Sequence, residues 1–259
     1  MQIVLLIVLL IIVLPYVAGP ILLWVNGSRM YPLNLVSADP AKPLPTKAAA
    51  HFWKTTHYFS SNGFEMFGER QLESAPNGLA MYKQMWRHPR TAEFALVGTI
   101  TKQNDPEFCN AFAAFLHERA SGAFIITTNF NVGARAFLDQ PGTSKIVVSH
   151  QDPADLRALH QGHVAVYNSE AVRPVRAKDA EALSRQMDAT TRHVALSRKR
   201  FRAEGESLRI TARGALFSIW ANLPPFKGKF DKADNRLLAA AFRAGAEAGL
   251  AMPNQRAAA

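Results

Sequence analysis

The chain has 259 residues, 48% hydrophobic and 19% charged, with 30 Lys/Arg against 20 Asp/Glu and a formal net charge of +10. That composition is ordinary for a globular protein and suits one domain, or a domain plus a helical tail. The single cysteine, Cys109, excludes an intrachain disulfide and with it the small disulfide-stapled secreted folds.

Residues 2–25 hold no charge, and Ile3–Leu14 is unbroken Ile, Leu and Val. About 20 apolar residues cross a bilayer, so residues 1–27 are expected to form a transmembrane anchor. Trp24 and Tyr31 would mark its water boundary. No basic residue precedes the apolar run, and Val17-Ala18-Gly19 is a poor cleavage site, so an uncleaved signal anchor is expected rather than a leader. Pro15 and Pro20 would kink the helix by removing two backbone donors. Arg29, Lys42 and Lys47 follow it, which predicts a cytoplasmic C-terminal side. Residues 28–47 read as a Pro-rich tether, because Asp39-Pro40-Ala41-Lys42-Pro43-Leu44-Pro45 favours extended polyproline II.

Residues 48–176 are expected to form the α+β globular domain. Thr46 can cap a helix that carries Phe52, Thr56 and Phe59 on one face. Gly63–Leu72, Leu79–Arg87 and Thr91–Lys102 read as antiparallel strands, joined by turns at Ala75-Pro76-Asn77-Gly78 and His88-Pro89-Arg90. The third is apolar on both faces and is expected to be central. Asp105-Pro106-Glu107 reads as a helix start, followed by Phe108, Phe112, Phe115 and Leu116 at helical spacing, with Gly122 as the stop. Ala123–Phe130, Ala134–Leu138 and Lys145–His150 read as strands separated by Asn131-Val132-Gly133 and Gln140-Pro141-Gly142. Asp152-Pro153 opens a helix whose face includes Leu156, Leu159, His163, Val164 and Tyr167.

Residues 177–259 are expected to be a basic helical region packed on the domain or on a membrane surface. Net charge is +2 over residues 1–169 and +8 over residues 170–259, so a charge-seeking partner belongs to the last third. Ala177–Arg202 reads as one helix, either packed on the sheet or in a coiled-coil contact through Leu183, Met187, Thr190, Val194 and Phe201. Asp231–Leu250 reads as an Ala-rich helix.

Chemistry-bearing residues are few. His150, Asp152, His160 and His163 fall within fourteen residues, and His160 and His163 share a helix face. Zinc sites use such residues, but Asp152 serves as a cap and no H-E-x-x-H is present. No metal site is therefore expected, and His150, His160 and His163 would be the candidates for one. Cys109 reads as a small buried hydrophobe. The chain lacks Gly-x-Ser-x-Gly, the P-loop and Gly-x-Gly-x-x-Gly signatures, so no cofactor and no catalytic residue is assigned.

The basic cluster Arg198, Lys199, Arg200, Arg202 leads into Gly214–Phe226, an apolar run too short to span a bilayer and followed by Lys227 and Lys229. It reads either as an interfacial segment on anionic lipid or as a core helix with Leu208, Ala212, Leu216, Ile219 and Leu223 turned inward. The interfacial reading gives a membrane-contacting set of Trp24, Arg29, Arg198, Lys199, Arg200, Arg202, Trp220, Lys227 and Lys229.

Two stretches carry a resemblance. Ile126-Thr127-Thr128-Asn129-Phe130 through Leu159-His160, and Leu208–Ala215 with Trp220 and Pro224, look like parts of an uncharacterised group of bacterial membrane-anchored proteins. The likeness covers about a third of the chain and departs from the group's acidic-Gly turn at Asn131-Val132-Gly133. It implies an anchored architecture and no chemistry.

The expected fold is thus α+β: an N-terminal transmembrane helix, an antiparallel sheet flanked by helices, and a helical basic C-terminal third. The expected role is non-enzymatic, as an accessory or scaffolding subunit of an assembly in the bacterial inner membrane. Its partners would be the lipid bilayer, anionic headgroups, and a membrane protein or a second copy, with nucleic acid not expected. The competing reading is a membrane-tethered hydrolase built on His150, His160 or His163.

Overall fold

A computed structural model describes residues 2–27, 29–30, 35–39, 44–72, 78–91, 93–102, 105–130, 142–149, 152–167, 172–173 and 177–253. The chain divides into two compact units. One comprises Met1–Pro32, Val132–Gln140 and Asp188–Asn235; the other comprises Leu33–Asn131, Pro141–Met187 and Arg236–Ala259. Several expected features lie outside the described residues: Tyr31, the turn residues Ala75-Pro76-Asn77, the strand Ala134–Leu138, and His150.

The first unit opens with helix α1 (Gln2–Val25) and the short strand β1 (Arg29–Met30). The second is built on a sheet of β2 (Leu35–Ser37), β3 (Glu65–Leu72), β4 (Leu79–Arg87), β5 (Phe94–Lys102), β6 (Asp105–Arg119), β7 (Phe124–Thr128) and β8 (Ser144–Val147), adjacent in that order. The two-residue β9 (Val172–Arg173) pairs with the end of β6. One sheet face carries α2 (Thr46–Ser61), α3 (Pro153–Ala165) and the C-terminal half of α6 (Phe226–Glu247). There Phe59, Trp86, Val97, Phe115, Ile146, Leu156, Leu159 and Leu238 share one core. On the opposite face Met85, Phe94, Leu96, Leu116 and Phe124 pack against Ala180 and Leu183, the start of α4 (Ala180–Ser197).

Strand β5 is buried on both faces, as its double apolar alternation implies. Burial on both faces also explains the first correction. The helix expected from Asp105 to a stop at Gly122 is instead β6, which pairs antiparallel with β5 from Phe94↔Leu116 to Thr101↔Cys109. Residues 111–116 of β6 are apolar at every position, so Phe112, Phe115 and Leu116 satisfy a helical spacing and a strand equally. Asp105 still makes a capping-type bond, Oδ1 accepting from the Phe108 N–H at 3.2 Å, at the bend where the register shifts.

The sheet is also not wholly antiparallel, since β7 and β8 run parallel. Residues 129–143 between them are enough chain for a crossover, which parallel neighbours need. Helix α3 begins as its sequence predicts: Asp152 Oδ1 accepts from the Ala154 N–H at 2.8 Å and Pro153 opens the first turn. Helix α2 does not, because Thr46 is its first residue and Pro45 holds the cap position without a side-chain bond.

In the first unit the expected helix over 177–202 stops at Ser197. Lys199 adopts φ +55, and β10 (Phe201–Glu204) and β11 (Ser207–Ile210) form a hairpin around Gly205 at φ +60. With β1 they make a three-stranded sheet in the order β1-β11-β10. The basic C-terminal third is therefore not all helical, and Leu208 belongs to a strand rather than to a core helix. Phe201, Leu208 and Ile210 bury against Ala195 and Ala215 there, and this burial outweighs the helix propensity of the Arg/Lys run. Thr211 then caps α5 (Ala212–Trp220), its Oγ1 accepting from the Gly214 N–H at 3.1 Å.

Among the described residues no helix is long and apolar enough to cross a membrane. This overturns the expected transmembrane anchor over residues 1–27. Within residues 13–25 of α1, Tyr16, Ala18, Gly19 and Leu23 are half-buried and Pro20 is buried. One side of this stretch is covered by protein: Gly19 faces Ile219, the Trp220 indole N–H donates to the Tyr16 carbonyl at 2.9 Å, and the Tyr16 hydroxyl donates to the Pro224 carbonyl.

Candidate functional site

Among the described residues two places stand out, one in each unit. In the second unit, strand alternation sends Phe115 and His117 of β6 to the face that packs on α3. Thr127 of β7, paired with Phe115, and Ser144 of β8 lie beside them. Helix α3 delivers His160 and His163 from one face, as their three-residue spacing requires. Both imidazoles are fully buried.

These groups form one unbroken hydrogen-bonded chain. Tyr167 Oη lies 2.8 Å from Ser144 Oγ, which lies 2.8 Å from His163 Nε2. Thr127 Oγ1 bridges His163 Nδ1 at 3.0 Å and His160 Nδ1 at 3.1 Å. His160 Nε2 meets His117 Nδ1 at 2.9 Å, and His117 Nε2 reaches the Thr91 carbonyl at 3.3 Å.

Burial keeps each ring neutral, and a carbonyl only accepts, so this last contact sets the direction of every bond in the chain. His117 carries its proton on Nε2 and accepts at Nδ1. His160 then donates from Nε2 and accepts the Thr127 hydroxyl proton at Nδ1. Thr127 in turn accepts from His163 Nδ1–H, so His163 Nε2 accepts from Ser144, and Ser144 accepts from Tyr167. All three histidines are neutral in this pattern. Burial lowers the pKa of each: His117 is lowered despite the Thr91 carbonyl and Glu93, His160 is held well below the ordinary histidine value with His117 and His163 adding to the effect, and His163 is lowered to about 3.

At the Thr91 end the Thr91 hydroxyl donates to Glu93 Oε2 at 2.9 Å, and Arg157 Nη2 meets the same oxygen at 2.6 Å. Burial is the largest single influence and raises the Glu93 carboxyl, but Arg157, the Thr91 hydroxyl and His117 together hold it below its usual value. The Arg157 guanidinium also sits 4.8 Å from the centre of the Phe64 ring.

The Ser144–His163 contact has the outline of a nucleophile and its base. Its chemistry is wrong for that work at neutral pH. A base is most effective when its pKa lies near the operating pH, and His163 is far below it, with a neutral threonine rather than a carboxylate behind it. Of the residues expected around a metal, His160 and His163 come together with both nitrogens of each ring in protein hydrogen bonds, while Asp152 is occupied as the α3 cap. Among the described residues no group of three or more His, Cys, Asp or Glu could hold a metal ion. Cys109 is half-buried on β6, and burial raises its thiol pKa.

Sequence reasoning missed His117, Thr127, Ser144, Glu93 and Arg157 as members of this network. Reading residues 105–116 as helix hid the alternation that pairs Phe115 with His117. Glu93 and Arg157 are 64 residues apart and carry no mutual signal.

Among the described residues the first unit holds most of the exposed large apolar side chains. Of the fourteen exposed large hydrophobics among the described residues, eleven belong to it: Val13, Leu14, Val17, Ile21, Leu22, Trp24 and Val25 on α1, and Leu216, Trp220, Phe226 and Phe230 along α5 and α6. Trp220 and Phe226 stack at 5.8 Å and 7°, and Phe217 meets Phe230 edge-on at 6.3 Å. Every residue expected at a membrane interface falls in this unit. Trp24, Lys199, Arg202, Trp220, Lys227 and Lys229 are exposed and Arg198 is half-buried. Arg29 pairs with Glu204 at 3.2 Å, and the Arg200 guanidinium sits 3.6 Å from the centre of the Phe217 ring.

The fold and these two places define an α+β protein with a mixed, mainly antiparallel sheet, a sealed histidine network and a separate apolar, basic surface. No protein-family profile, curated protein or solved structure matches the chain.

Proposed function

We propose that this protein is a non-enzymatic accessory or scaffolding subunit that works at a membrane surface, bound through its first unit. The observation that carries the reading is the concentration of exposed apolar side chains there. Val13, Leu14, Val17, Ile21 and Leu22 leave one face of α1 open, where a soluble monomer usually keeps apolar patches small. The mode of contact is lying on the surface: an apolar face enters the headgroup boundary while cations stay at its rim. The hydrolase reading has less support, because its histidines are sealed in protein hydrogen bonds and lowered out of the useful basic range.

The test is membrane fractionation of cells producing the full chain, followed by mild-detergent extraction and sizing. The expected result is recovery with membranes and in a species larger than one chain. Recovery in the soluble fraction, or extraction as a lone monomer, refutes the proposal.

A further inference from the structure

The surface of the first unit has a charge pattern as well as an apolar one. Residues 198–232 carry nine Lys/Arg against three Asp/Glu. One of those acids is already engaged, since Glu204 pairs with Arg29 at 3.2 Å and with Arg209 at 3.6 Å. The cations flank the corner between α5 and α6, where the stacked Trp220 and Phe226 stand with the exposed Leu216 and Phe230. Arg213 precedes this corner, and Lys227 and Lys229 follow it, all three exposed.

The corner is held in place rather than loose. The Trp220 indole N–H is fixed on the Tyr16 carbonyl, Tyr16 reaches the Pro224 carbonyl, and Ile219 packs over Gly19. Trp220 therefore presents an anchored ring with its polar edge satisfied, the state in which an aromatic side chain rests at a lipid boundary. The neighbouring lysines have stems long enough to keep their ammonium groups among headgroups while the aromatics sit deeper.

We infer that the α5–α6 corner is a docking site selective for anionic phospholipid headgroups, with Trp220, Phe226 and Phe230 entering the acyl boundary and Arg213, Lys227 and Lys229 meeting the phosphates. This rests on the membrane-surface reading above and adds the lipid class and the residues that select it. Charge complementarity decides the occupant: a zwitterionic surface gives the cations nothing, and each Lys or Arg at an anionic one is worth about a five-fold gain in binding.

The experiment is vesicle co-sedimentation of the full chain. Vesicles of phosphatidylcholine alone are compared with vesicles containing one-third phosphatidylglycerol, at 50 mM and 500 mM salt. Binding to the anionic vesicles is expected to exceed neutral binding at low salt and to fall to the neutral level at high salt. Lys227→Ala/Lys229→Ala is expected to weaken anionic binding about 25-fold and leave neutral binding unchanged. Both side chains are solvent-exposed, and circular dichroism checks that the variant folds. Equal wild-type binding to both vesicle types, or an unaffected double variant, overturns this inference and leaves the membrane-surface reading standing. Binding to neither overturns both and assigns the surface to a protein partner.

Discussion

The sealed histidine network makes the second unit acid-labile. His163 in the folded protein titrates at about 3, against 6.5 for an ordinary histidine. Between those values the unfolded chain binds a proton that the folded chain refuses. The contribution is therefore complete above pH 6.5, is lost progressively as pH falls, and is gone near pH 3. At pH 5 the loss from His163 alone is about 2 kcal/mol, at 1.36 kcal/mol per pH unit. His160 and His117 shift in the same direction and add to it. Urea unfolding at pH 7.5, 6 and 5, followed through tryptophan emission, reads this directly. Trp86 is a suitable reporter, being buried against Phe59 in the core that α3 packs on. His163→Gln keeps a polar, uncharged group at the position. It is expected to cost about 1–3 kcal/mol at pH 7.5 and to flatten the pH slope by the His163 share. The same slope in wild type and variant, or stability that does not change from pH 7.5 to 5, refutes the neutral-histidine assignment.

Three further outcomes follow from particular contacts. Arg157→Met strands the buried Glu93 carboxylate and should cost about 3–5 kcal/mol in chemical denaturation, with Glu93→Gln added to it recovering part of the loss. A Cβ at Gly162 would strike the Ala241 carbonyl oxygen, so Gly162→Val should lower stability by about 1–3 kcal/mol, seen as a lower Tm by calorimetry. Thr211→Ala removes the α5 cap and should cost about 1 kcal/mol, while also reducing anionic-vesicle binding if the α5–α6 corner depends on that helix.

Local signals were legible in the sequence wherever short-range chemistry decides structure. Asp152-Pro153 named the start of α3 because a cap and a missing donor act within one turn. The extent of β4, the end of β3 at Leu72 and the central place of β5 followed from alternation and turn residues. The spacing of His160 and His163 placed both on one face of α3.

Tertiary structure alone decided the rest, because each remaining question turned on residues distant in the chain. Residues 105–116 became a strand through pairing with β5, which no local pattern separates from a helix when both faces are buried. The Arg/Lys run at 198–202 became a turn and a strand because Phe201, Leu208 and Ile210 found a shared core. The histidines became neutral links between Tyr167 and Thr91 once Thr127, Ser144 and His117 arrived from three strands. Their protonation follows from the carbonyl that ends the chain and from burial. Composition encodes neither of these; only the packing of α3 on the sheet supplies them.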